Sequence, residues 1–270
     1  HQAPAKRTTG HGEIALKRVL EVKHLMLAGL ILVIVLLGIN FWPGSAPSEV
    51  VPDFAAYALV AEKKQAFFDF VRPSIQIENS LILAERQALL AIKASDAIEA
   101  RYADFEVEQI RQLAEKYRVP NREALSDNEV LTNLLSRVDV VPEGLALAQA
   151  ANESAWGTSR FARDYRNFFG LWCFTEGCGV KPRQASAEST HQVAAFDSVR
   201  AGVAYYLLTL NSHPAYAALR ARRQDLRVAG QAVTGDALAA GLLRYSERGQ
   251  DYVDEIKQMI RGNGLESRSD

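Results

Sequence analysis

Residues 143–156 read EGLALAQAANESAW, a run whose only charges are Glu143 and Glu153. Asp139 to Pro142, just before it, reads as a helix start, with Pro142 early in the first turn. A helix so poor in charge is buried on most sides, which makes Glu153 conspicuous. On such a helix Glu153 shares a face with Gln149, Asn152 and Trp156, and with Leu145 two turns back. Trp156 is then placed to lay an aromatic wall against the carboxyl. Desolvation of that kind raises a Glu pKa and keeps the acid protonated near neutral pH. A glycosidic bond needs such a donor, because the departing sugar oxygen is a poor leaving group. The competing reading is a solvated Glu at a helix end, or one paired with Arg160 or Arg163.

The chain around this segment has 270 residues, with 31 Lys+Arg, 32 Asp+Glu and a formal net charge of −1. That balance excludes a polycationic nucleic-acid clamp, and 48% hydrophobic residues supply a real core. The five histidines, His1, His11, His24, His191 and His213, make no metal-ligand spacing with the two cysteines. No metal or organic cofactor is expected.

Downstream of Trp156 the texture changes. Asn167 to Phe196 holds three glycines, both cysteines and short apolar runs, which reads as loops and a small hairpin. Cys173 and Cys178 sit in CFTEGC. They close a small loop in an oxidising compartment and remain two thiols in a reducing one. Helices resume at Ala201–Leu210 and are expected over Asp225–Val233, Asp236–Tyr245 and Asp251–Ile260.

Upstream, Ser126-Asp127-Asn128-Glu129 has the form of a capping box. Asp53 to Tyr117 reads as helix, with Pro73 expected to start or kink it. Leu25–Trp42 carries no charge over eighteen residues, and about 1.5 Å per residue gives it a helical span of about 27 Å, close to a bilayer core. Lys6, Arg7, Lys17, Arg18 and Lys23 precede it, and no Lys or Arg follows until Lys63. The positive-inside rule puts the N-terminus in the cytoplasm and the remainder outside, whether the segment is an anchor or a cleaved signal. The organisation expected is a cytoplasmic tail (1–24), a transmembrane anchor (25–42), a helical extension or stalk (43–125) and a catalytic domain (126–270).

AQAANESAWGTSRFA, NFFGLWC, VAAFDS and NSHPAY follow one another in this order. Together they resemble the peptidoglycan glucosaminidases of glycoside hydrolase family 73, in particular the Bax-type proteins of Gram-negative bacteria. The resemblance spans about Asn133 to Gly262. It implies an α+β, mainly helical, lysozyme-like fold with a small β-lobe, here preceded by a helical extension and one transmembrane helix. It implies Glu153 as general acid, and Asn167–Gly170 as a turn shaping the sugar groove. By the same resemblance Tyr216 is the supporting tyrosine, although its motif carries an insertion. Glu188, within the hairpin Gly179–Phe196, is the candidate second carboxylate, with Glu176 just before that hairpin. Trp172, Phe174, Tyr205 and Tyr206 are candidates to stack on pyranose rings. The activity implied is cleavage of the β-1,4 bond between N-acetylglucosamine and N-acetylmuramic acid in peptidoglycan, by an inner-membrane protein facing the periplasm. A lytic transglycosylase and a non-catalytic murein-binding scaffold are the alternatives.

Overall fold

Among the described residues, four of the nine α-helices start at a side-chain cap, Ser126, Ser159, Ser198 and Thr234, and apolar spacing decides which face each helix buries. The computed structural model describes residues 50–99, 104–181 and 192–266. The expected anchor at Leu25–Trp42, the tail before it and Glu188 lie outside these described residues. Among the described residues, no helix is long and apolar enough to cross a membrane.

The helices in chain order are α1 (Val60–Glu99), α2 (Asp104–Lys116), α3 (Asp127–Arg137), α4 (Glu143–Glu153), α5 (Arg160–Tyr165), α6 (Val199–Ser212), α7 (Ala217–Val228), α8 (Gly235–Ala239) and α9 (Gln250–Gly262). Between α5 and α6 lie three short strands, β1 (Trp172–Cys173), β2 (Gly179–Val180) and β3 (Gln192–Ala194). They pair antiparallel in the order β1-β3-β2. The fold is therefore mainly helical with one small antiparallel sheet. The sheet exceeds the single hairpin expected, because β1 joins it through the non-local pair Trp172↔Val193.

Local chemistry accounts for several boundaries. Ser126 and Glu129 form the full capping box of α3, and Ser198 caps α6 by accepting from the Ala201 N–H. α7 ends at Val228, short of the expected Val233. Gly230 turns left-handed at φ +64°, and the Gln231 N–H bonds back to the Leu226 carbonyl. Pro73 departs from expectation: α1 runs through it without a break in helical assignment. Buried Val71 and Ile75 on either side anchor the helix in the core, which outweighs the one backbone bond that proline cannot make.

α1 is built into the body of the protein. Phe67, Val71, Ile75, Ile82 and Leu89 form its buried stripe and share one core with Leu145, Ala148 and Leu207. Polar ties fix its register on α4: Arg72 Nε donates to Glu143 at 2.7 Å, and Asn79 exchanges hydrogen bonds with the Val141 backbone. In α4 every residue from Gly144 to Ala151 is buried.

The turn leading into α4 is held by a buried charge cluster. The Arg223 guanidinium, on α7, donates to the carbonyls of Ser136, Arg137, Asp139 and Val140 and to Asn211 Oδ1. The buried Asp139 carboxylate takes two bonds from Arg227, at 2.9 and 3.1 Å, with Arg86 at 3.7 Å. Burial pushes the Asp139 carboxyl up, but Arg227, Arg223 and Arg86 together outweigh it and the net shift is downward. The stabilisation is thus complete above the ordinary carboxylate range and is lost as pH falls through the depressed folded-state value. Asp139→Ala leaves buried guanidinium groups uncompensated and is expected to cost about 3–5 kcal/mol. Urea unfolding at neutral pH checks the size, and the gap from wild type should close under acidic conditions.

Candidate active site

Glu153 is the last residue of α4. The chain then turns through three successive left-handed residues, Ala155 (φ +49°), Trp156 (φ +58°) and Gly157 (φ +77°). Positive φ at two non-glycine residues costs of order 1 kcal/mol each, and strain of this kind collects at functional sites. Buried Ser154 holds the turn, donating to the Ala150 carbonyl at 2.6 Å and accepting from the Gly157 N–H at 2.8 Å. Gly157 is obligatory: a Cβ there would lie 2.3 Å from the Phe54 ring.

Because the helix stops at Glu153, Trp156 leaves the face on which helical spacing puts it. Its ring packs edge-on against Phe67 and Phe68, with the Lys64 ammonium 4.9 Å from its centroid. The wall around the carboxyl is made of tyrosines instead. Tyr206 Oη donates to Gln149 Oε1 at 2.6 Å, and Gln149 Nε2 donates to Tyr252 Oη at 2.9 Å. With its oxygen occupied in this way, the Tyr252 hydroxyl keeps its proton available to the neighbouring Glu153, whose charged form it favours. Tyr252 stacks on Tyr245 at 5.5 Å, and Tyr245 meets Tyr216 at 5.7 Å. Tyr245 Oη donates to the Phe169 carbonyl, and Phe169 stacks on Tyr206 at 4.0 Å. The structure thus brings Glu153 and Tyr216 to one tyrosine-lined site.

The opposite side is the Asn167–Gly170 turn. The buried Asn167 side chain donates to the Leu171 and Ala194 carbonyls and accepts from the Phe169 and Leu171 N–H groups. That staple brings Gly170 so close that a Cβ on it would lie 3.3 Å from Glu153 Oε2. Gly170 has φ +63°, so both its conformation and its lack of a side chain are used.

Burial raises the Glu153 pKa; hydrogen bonds from Tyr252 and Asn152 and the charge of Arg248 pull the other way, and the net shift is upward. Arg248 is itself paired with Glu255, and among the described residues no Lys or Arg forms an ion pair with Glu153. Arg160 lies over the Phe161 ring rather than on the carboxyl. The Tyr216 hydroxyl is pushed up to about 12, by burial first and then by the Glu153 charge, so it keeps its proton at neutral pH.

Of the aromatic candidates, Tyr206 is fully buried and belongs to the carboxyl's support, not to a sugar platform. Its flat contact with Phe169 leaves no face for a ligand. Trp172 and Phe174 are 42% and 78% exposed, and Tyr205 Oη donates to the Trp172 carbonyl at 3.3 Å. Cys173 and Cys178 are joined as a disulfide. Sequence reasoning missed Tyr245 and Tyr252. Their signal was faint: Tyr252 lies on the apolar stripe Tyr252, Val253, Ile256, Ile260 of α9, where a tyrosine reads as core.

A family profile for glucosaminidases, described as mannosyl-glycoprotein endo-beta-N-acetylglucosaminidase, matches residues 129–265. Protein bax of Escherichia coli (strain K12) is 34% identical over 222 residues, covering 81% of this chain and 76% of that protein. The chain belongs to the glucosaminidase family. The profile begins inside α3 and runs past the end of α9, so Glu153, Gly170, Tyr216 and Tyr252 all fall within the glucosaminidase region. The catalytic domain of the autolysin Auto from Listeria monocytogenes is a structural neighbour at TM-score 0.41 and 17% identity, over 78% of this chain and 90% of that one.

The raised carboxyl makes a thermodynamic prediction. A folded-state pKa above the unfolded value stabilises at low pH and loses that contribution as pH rises through the folded value. Glu153→Gln removes the ionisation and hence the loss. The variant should unfold at the same or higher temperature than wild type, with the difference growing from pH about 4.3, the ordinary Glu value, to a plateau above the raised one. Scanning calorimetry across pH reads this directly, and a variant less stable at alkaline pH would contradict it.

Proposed function

We propose that this glycoside hydrolase is a peptidoglycan endo-β-N-acetylglucosaminidase, cleaving the GlcNAc-β-1,4-MurNAc bond with Glu153 as general acid. The observation carrying the reading is a carboxyl of raised pKa, held by Tyr252 on one side and bared by Gly170 on the other. The hydrogen bond from Tyr252 occupies one carboxyl lone pair and leaves the acidic proton for an incoming ligand. Glu153 gives that proton to the leaving glycosidic oxygen as the bond to the anomeric carbon breaks. Tyr216, still protonated, turns its electron-rich oxygen toward the developing positive charge. Water completes the reaction at the anomeric carbon, either activated by a second carboxylate, for which Glu188 is proposed, or attacking after the sugar's own 2-acetamido oxygen has displaced the leaving group. We further place the enzyme at the inner membrane, tethered through Leu25–Trp42 with its catalytic domain in the periplasm, where its polymer lies.

Glu153→Gln should lower the digestion of purified sacculi by about 10²–10⁴-fold, as expected for loss of one general acid. Mass spectrometry of the wild-type fragments should show reducing-end GlcNAc. Termini of 1,6-anhydro type would make the chain a lytic transglycosylase instead. Activity should fall on the alkaline side as Glu153 loses its proton, at a pH above the ordinary Glu value. Tyr252→Phe deletes a bond that favours the carboxylate, so the alkaline limb of its kcat/KM profile should move to still higher pH while the maximum drops. An unmoved limb would remove Tyr252 from this role.

A further inference from the structure

We infer that the disulfide-closed loop Cys173–Cys178 is a glycan-gripping element, presenting Phe174 together with Trp172 as a stacking platform for sugar rings beyond the scissile bond. The inference rests on the glycosidase reading above and adds to it where, and by what device, the polymer is held.

The chain itself supplies the continuity with the site. Gly170 abuts the Glu153 carboxyl, and β1 begins two residues later at Trp172. Strand geometry sends alternate side chains to opposite faces, and here Cys173 is buried while Trp172 and Phe174 on either side of it are exposed. A phenylalanine 78% exposed forgoes most of the stabilisation that burial would bring it.

Exposure of a single apolar side chain is ordinary; what is unusual is how firmly this one is mounted. The Cys173–Cys178 bond closes the loop at its base. Inside it, the Cys178 N–H bonds to the Thr175 carbonyl across a turn that uses Gly177 at φ +78°. The Ala195 N–H takes the Cys178 carbonyl, and Tyr205 Oη takes that of Trp172. A fixed aromatic with few rotors suits an uncharged ligand that binds through ring faces, since less conformational freedom is lost on binding.

Sugar rings fit this surface better than a charged partner does. A pyranose offers an apolar C–H face to an aromatic ring, and its hydroxyls point outward to water. Glu176 is the only charged residue between Gly170 and Val180, so the loop has little electrostatic pull on a polyanion or on an acidic peptide. The disulfide has a specific part: cutting it leaves the sequence of the platform intact and releases its mounting.

The experiment uses the full chain carrying Glu153→Gln, so that sacculi are bound and not consumed. Pelleting with purified sacculi is compared for this protein alone, with added Phe174→Ala, with added Phe174→Tyr, and with added Cys173→Ser/Cys178→Ser. Phe174→Ala, a surface change, should weaken binding about tenfold, as for an aromatic anchor; Phe174→Tyr should restore it. The double serine variant, its fold checked by thermal unfolding, should match the alanine variant. In the active background the Phe174→Ala defect should fall on KM, with kcat within about twofold of wild type. Undiminished binding by Phe174→Ala overturns the platform and leaves the glycosidase reading standing. Undiminished binding by the folded double serine variant overturns the role given to the disulfide. Failure of the Glu153→Gln parent to pellet at all overturns the glycosidase reading together with the platform.

Discussion

A carboxyl group cannot be carried to the end of a helix as apolar as α4 without partners, and much of the site can be understood as the supply of those partners. Gln149, one turn before Glu153, is fully buried and spends both ends of its amide on tyrosines. Those tyrosines come from α6 and α9, so a single hydrogen-bonded chain links three helices beside the carboxyl. Buried polar chains are costly when half satisfied and specifying when complete. Here both ends of the Gln149 amide are satisfied, and Tyr252 is thereby set beside Glu153.

The same constraint explains parts of the molecule that lie far from the chemistry. α4 must enter the core at the right depth and register, and it is set there at its N-terminal end by Asp139 and three arginines and by the ties from Arg72 and Asn79 on α1. At its C-terminal end the Ser154–Gly157 turn stops it before Trp156. Trp156 then joins Phe67 and Phe68, so α1 is fastened to both ends of the helix that bears the acid. The residues before position 126 therefore contribute to the same core that positions the site, although the glucosaminidase profile begins only at residue 129.

How much was legible in advance differed from residue to residue for physical reasons. Ser126 with Glu129 and the uncharged run before Glu153 act locally, through backbone capping and burial of a continuous face, and could be read directly. The Asn167–Gly170 turn was recognisable only as a family motif; that its glycine exists to clear a carboxylate oxygen depended on where α4 ends. Trp156 departs from its expected face because helical spacing does not extend three residues past Glu153, where the helix ends. Tyr245 and Tyr252 carry no distinct signal, since a tyrosine on an apolar stripe looks the same whether its hydroxyl meets solvent or a buried polar group. Tyr206 is only a candidate for ring stacking in the sequence, because its burial depends on Phe169, 37 positions away.

By itself the amino-acid order determined the helical class, the buried helix with one unexplained carboxylate, the glycine-rich β region and the family. All of these rest on interactions between neighbours along the chain or on motifs of a few residues. Only the tertiary structure decided which groups surround Glu153, that Cys173 and Cys178 are joined, and that α1 continues through Pro73 into a shared core. Those outcomes depend on distances between segments many tens of residues apart, and the energies that choose among them arise only when the segments meet.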